Sequence, residues 1–134
     1  MSDNHLVLVG NLTSDPTLRF TQSGRAMATF TLASTRRYKS QGEEIEKTTF
    51  ANCIAWGQLA ENLAASALKG QRWWVMGELE QRKYTTKAGE EREVMEINVA
   101  DAGPSVKWAT VTVERTERST TTAASRPPDY SGDF

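Results

Sequence analysis

Four aromatic side chains lie close to basic residues or share a strand face, and they are the residues best suited to chemistry. Tyr38 sits inside Arg36-Arg37-Tyr38-Lys39, and Tyr84 follows Arg82-Lys83 with Lys87 three positions on. Phe50 and Trp56 lie on one apolar run with the parity that puts both on the same side of a strand. Binding of unpaired nucleic acid needs flat rings to stack on bases and positive charge to follow phosphates. Each ring also has a plainer reading: Tyr38 as an exposed loop side chain, Tyr84 as a cross-strand packing residue. Catalysis has less to work with. His5 is the only imidazole, and Cys53 between Asn52 and Ile54 reads as a small core thiol. No glycine-rich phosphate loop and no paired-carboxylate motif stands out, and one Cys with one His cannot build a metal site of four protein ligands. No cofactor is expected.

The formal net charge of −1 does not exclude a nucleic-acid partner, because binding needs only local positive potential. The acids group apart from the basic clusters, as Glu43, Glu44 and Glu46 and then Glu90, Glu91 and Glu93. Arg72 adds a cation at the start of a later apolar run.

The elements that must hold these residues follow from periodicity. His5 to Leu12 reads as a buried strand, Pro16 to Phe20 as a short edge segment, and Ala28 to Ala33 as an alternating strand. Arg36 to Lys47 is polar, carries Gly42, and reads as a long exposed loop. Thr48 to Trp56 reads as a strand. Leu59, Leu63 and Leu68 with Ala60, Ala64 and Ala67 predict an amphipathic helix of about three turns, stopped by Lys69-Gly70. Arg72 to Leu79 is strand, and Arg82 to Thr86 and Glu93 to Val99 are arms around a turn at 87–90. Val106 to Val113 reads as one more strand.

Three strands, a helix and two strands is the order of a five-stranded OB-fold barrel, with an extra C-terminal strand, in an all-β fold with one helix. The Thr48 to Trp56 segment poses a choice that pattern leaves open. Core logic turns Phe50 and Trp56 inward, whereas a narrow barrel accepts only the small face Ala51, Cys53 and Ala55 and leaves the rings outside. Trp73 and Trp74 point to opposite faces, so one belongs to the core and the other to an interface or a lid on the helix.

At 134 residues and 38% hydrophobic content the chain has room for one domain and a tail. The domain is expected over residues 1–115. Residues 116–134, with the run Ser119 to Pro128, lack the apolar surface to offset ordering entropy and read as a disordered tail. No apolar run approaches a membrane span, and the opening residues Met1 to His5 do not resemble a signal peptide, so a cytoplasmic location is expected.

Several segments in order resemble one family. Leu8-Val9-Gly10-Asn11-Leu12 with Asp15-Pro16, Phe30-Thr31-Leu32-Ala33, Trp56-Gly57-Gln58-Leu59-Ala60-Glu61, Lys69-Gly70, and Gly77-Glu78-Leu79 with Arg82-Lys83-Tyr84 resemble the bacterial-type single-stranded DNA-binding proteins. Gly103-Pro104-Ser105-Val106-Lys107-Trp108-Ala109-Thr110 is similar to the actinobacterial branch. The resemblance implies an OB-fold homotetramer that wraps single-stranded DNA without strong sequence preference, in replication, recombination and repair. It matches Tyr38, Phe50, Trp56 and Tyr84 to the family's base-stacking aromatics, which favours outward rings. It implies that Val106 to Val113 forms a strand hooking two subunits together. It also implies a partner-docking tip for replication and repair proteins. Here that tip is Asp129, Tyr130, Asp133 and Phe134, with a thin acidic run and a short linker that suit a phage-encoded or a secondary chromosomal copy.

The sequence-level expectation is therefore passive coating of single-stranded DNA. Arg36, Arg37, Lys39, Arg72, Arg82, Lys83 and Lys87 would neutralise phosphates, and the four rings would stack. The alternatives are a primosome-like OB module that docks proteins, a barrel for RNA or oligosaccharide and, last, an enzyme.

Overall fold

The computed structural model describes residues 3–116. The strands are β1 (Leu6–Leu12), β2 (Thr17–Phe20), β3 (Ala26–Ser40) and β4 (Glu43–Trp56), then β5 (Arg72–Thr85) and β6 (Glu91–Pro104). One helix, α1 (Gln58–Ser66), separates β4 from β5. Alternation governs β3: Ala26, Ala28, Phe30 and Leu32 are buried, while Met27, Thr29, Thr31 and Ala33 between them are half-buried on the outside.

The strands pair in the order β1-β5-β6-β4-β3-β2, and β1 also pairs with β3, which closes five of them into a barrel and leaves β2 outside. This is the OB-fold arrangement, with β4 and β6 pairing in parallel at Asn52↔Glu96, Cys53↔Ile97 and Ile54↔Asn98. Leu32, Val75, Cys53, Ile97 and Val99 fill the interior, and Ala60, Leu63 and Ala67 of the helix region close one end. The β5–β6 ladder shifts register at Met76/Gly77, and Gly77 there lies against the β6 backbone. A Cβ on Gly77 would stand 2.1 Å from the Asn98 carbonyl oxygen.

One family-like motif gains a local cause. The Lys69 N–H donates to Asp15 Oδ1 at 2.7 Å, so Asp15-Pro16 and Lys69-Gly70, far apart in sequence, are one joint.

Three expectations change. Arg36 to Lys47 is not a loop: β3 and β4 run through it as a two-stranded arm, turning only at Gln41 and Gly42, both with positive φ (53° and 81°). That pair suits the right-handed twist of a tight hairpin. The arm is polar on both faces because it projects beyond the barrel, so it carries no hydrophobic alternation to read. The helix stops at Ser66, and Leu68, expected on its apolar face, is exposed. The extra C-terminal strand expected from Val106 to Val113 is not formed; these residues have no strand pairing. β1 pairs with β5 along its length and with β3 only at Asn11 and Leu12, and Val106 to Val113 does not add to its free margin. The strand outside the barrel is instead β2. The tip residues Asp129, Tyr130, Asp133 and Phe134 lie outside the described residues, as does nearly all of the expected tail.

Candidate nucleic-acid interface

β4 settles which face turns out. Cys53 and Ala55 are buried in the core with Ala51 packed against it, whereas Phe50 is 67% exposed and Asn52 is exposed. The interior accepts only small side chains from this strand, so its large residues point away. Parallel pairing carries this outer face onto β6, where Asn52 faces Glu96 and Ile54 faces Asn98. Antiparallel pairing carries it onto β5, where Glu96 faces Glu80 and Arg92 faces Tyr84. Phe50, Trp56 and Tyr84 therefore share the outer surface of one continuous β4-β6-β5 sheet. Tyr84 is 41% exposed and Trp56 is half-buried.

Tyr38 does not join them. The uninterrupted β3–β4 register pairs Tyr38 with Ile45 and Ala33 with Phe50, an odd separation on each strand that puts Tyr38 on the opposite face of the arm. It is 39% exposed there, with the Arg36 guanidinium 4.8 Å from its ring centre. The arm has left the barrel by this point, so both of its faces are open to a ligand.

The cations divide by their partners. Arg37 pairs with Glu46 at 3.2 Å, and Lys83 approaches Glu93 at 4.0 Å; both are direct cross-strand pairs. Arg82 makes a forked contact with Glu96, Nε to Oε1 at 2.8 Å and an Nη to Oε2 at 3.2 Å. The hydrogen bond to Glu96 pushes the Arg82 guanidinium above its ordinary pKa. Arg36, Lys39, Arg72 and Lys87 make no ion pair among the described residues. Arg72 lies 4.8 Å from the ring centre of Trp108, a 75% exposed side chain that also has Lys107 at 4.9 Å. Arg72, Trp108 and Arg37 line an open cleft of about 490 Å³ that reaches Ala33, the residue directly across from Phe50.

Sequence reasoning missed two groups. Arg25 stacks on the Trp56 ring at 4.4 Å. The contact follows from the register, in which Met27 pairs with Trp56 and Arg25 lies two residues away, so spacing alone did not show it. Glu96 was also passed over; it lies on the outer face yet is only 8% exposed. Of the two adjacent tryptophans, Trp73 is in the core and donates its ring N–H to Gln71, while Trp74 packs on the outside against Gly103.

Cys53 is a buried thiol whose Sγ lies 3.6 Å from the Ala51 carbonyl oxygen. Burial, and second the negative charge of Glu96, push its pKa up from about 9 to about 12. The folded state thus favours the neutral thiol. Its contribution to stability is intact below pH 9 and falls as pH rises from there toward 12. A thiol reagent at pH 8 should label Cys53 only at the rate of unfolding, and denaturant should accelerate labelling by orders of magnitude; rapid labelling of the folded protein would contradict this burial.

The model of the Single-strand binding protein family matches residues 3–107. The chain belongs to this family. Among its relatives, the single-stranded DNA-binding protein of Paenarthrobacter aurescens is 47% identical over 116 residues, covering 84% of this chain and 68% of the relative. That of Mycobacterium tuberculosis H37Rv is 46% identical over 120 residues, covering 87% and 73%. That of Corynebacterium glutamicum is 43% identical over 121 residues, covering 88% and 54%. The resemblance read from the sequence is therefore correct at the level of the family and of its actinobacterial members. No helix among the described residues is long and apolar enough to cross a membrane.

Proposed function

We propose that this chain binds and protects single-stranded DNA without reading its sequence, in replication, recombination and repair. The observation that carries this reading is the reversed strand β4, which hides its small residues and displays Phe50 and Trp56 on the same outer sheet as Tyr84. Exposed rings on a sheet stack on any unpaired base, because every base has a π-face, and a duplex hides those faces. Arg36, Lys39, Arg72 and Lys87 follow the phosphates, with Arg37 and Lys83 available by exchange of their exposed acidic partners. Tyr38 stacks on the far side of the arm, where a wrapped strand passes from one face to the other.

The functional unit is a homotetramer. Outward apolar residues on β1 and β5, Val7 and Val9 beside Trp74 and Met76, support it, as do the exposed Val106, Trp108 and Val113, which have no strand pairing among the described residues. In that assembly Val106 to Val113 takes its strand pairing from a second copy. The tip with Asp129, Tyr130, Asp133 and Phe134 recruits replication and repair proteins, and the complex works in the cytoplasm.

Poly-dT added to the protein should quench tryptophan fluorescence to a sharp endpoint at low salt, and binding should weaken as salt rises. Duplex DNA of equal length should compete at least a hundredfold less well. Equal competition by duplex would rule out stacking as the basis of binding.

A further inference from the structure

Arg82 stands in the sequence as a phosphate-neutralising residue beside Tyr84, but its Nε and one Nη already donate to a carboxylate. Both Glu96 oxygens are engaged, at 2.8 Å and 3.2 Å, in the parallel fork that suits Arg and carboxylate. Glu96 has surrendered nearly all of its water, at 8% exposure. Its direct cross-strand neighbour is another acid, Glu80, whose Oε1 is taken by the Asn98 side-chain amide at 3.1 Å. On its other side Asn52 Oδ1 accepts a hydrogen bond from the Thr31 hydroxyl at 3.2 Å. Arg82 is thus the cation that offsets a buried carboxylate in the middle of the stacking surface. Drawing Arg82 away to a phosphate would leave that carboxylate uncompensated.

We propose that Glu96 is a positioning residue for DNA binding: it holds Arg82 on the outer sheet next to Tyr84 and draws it from phosphate contact, and with Glu80 beside it leaves no net positive charge at the centre of the surface, so that bases rather than phosphates lie there. The Arg82 guanidinium carbon is 5.8 Å from the Tyr84 ring centre, within reach of a cation–π contact. Phosphates are left to the cations of the arms. This inference rests on the proposed binding surface and adds to it a residue that touches neither base nor phosphate.

The test is the salt dependence of oligo(dT) binding by the full-length protein, Glu96→Gln, and the double variant Arg82→Gln/Glu96→Gln, with melting temperatures measured in parallel. Each phosphate neutralised on a single strand contributes about 0.7 to the slope of log K against log salt. Glu96→Gln should free Arg82, tighten binding at low salt and steepen the slope by about 0.7 per protomer engaged. That corresponds to about 2.5-fold more affinity lost over a fourfold rise in salt. The double variant removes both partners and should match wild type in slope. A structural role alone would shift the melting temperature and leave both slopes unchanged. If Arg82 contacts phosphate in the wild type, Glu96→Gln will keep the wild-type slope and the double variant will lose about 0.7, which overturns the proposal. Failure of the wild type itself to bind oligo(dT) overturns the parent reading and this one together.

Discussion

Replacing Phe50 and Tyr84 together by alanine should weaken oligo(dT) binding by roughly thirty- to twenty-thousand-fold. Each base–ring stack contributes about 1–3 kcal/mol, so two lost stacks remove about 2–6 kcal/mol if they act independently. Independence is reasonable because the residues lie on β4 and β5 with β6 between them, about 10 Å apart at the usual strand spacing. The folded state should hardly notice, since both rings are largely in solvent, at 67% and 41% exposure. Fluorescence titration and a thermal melt on the same preparation separate the two effects. A loss below threefold with an unchanged melt would remove these rings from the binding surface.

Gly77→Ala should do the reverse and strike stability first. The added methyl would lie 2.1 Å from the Asn98 carbonyl oxygen and 3.1 Å from the Ala100 nitrogen, both backbone atoms that cannot rotate aside. The site is also where β5 shifts register against β6 and where Gly77 pairs with Leu6 of β1. Relief requires the sheets of the barrel to part on both sides of β5. Overpacking of this kind costs about 3 kcal/mol or more, a large share of the margin of a domain this size. The melting temperature should fall by about 10–20 °C, read by circular dichroism. A fall under about 3 °C would show that the β5–β6 contact is looser than its geometry implies.

The sequence and the structure agree where burial is one-sided. The barrel half of β3, the barrel end of β4 and the first half of β5 alternate against a core, and each was legible as a strand; β1 was read as buried, yet its Val7 and Asn11 are exposed. The β3–β4 arm was not, because it has no buried face to impose a pattern; what marks it is the turn pair Gln41-Gly42, which polar surroundings disguise. Phe50 and Trp56 could be read either way from spacing, since the choice belongs to the width of the interior, a property of five strands at once. The face of Tyr38 depends on the register of a pairing that extends from Met27↔Trp56 to Ser40↔Glu43. Arg82 and Glu96 are fourteen positions apart and meet only across the β5–β6 ladder, so the sequence does not show that Arg82 has an acidic partner. Val106 to Val113 has strand-like alternation but pairs with no strand among the described residues.

The arms also bear on how the molecules behave when crowded. Where β3 and β4 leave the barrel, each keeps a sheet neighbour on one side only, and an unpaired strand margin is a template for uncontrolled zippering between copies. Those margins carry Arg36, Arg37, Lys39, Glu43, Glu44, Glu46 and Lys47, ionic groups that resist desolvation and set opposite signs a few ångströms apart. Many copies packed side by side on one polymer thus meet through solvated charges, and the coat can be stripped off again instead of setting into an insoluble fibre.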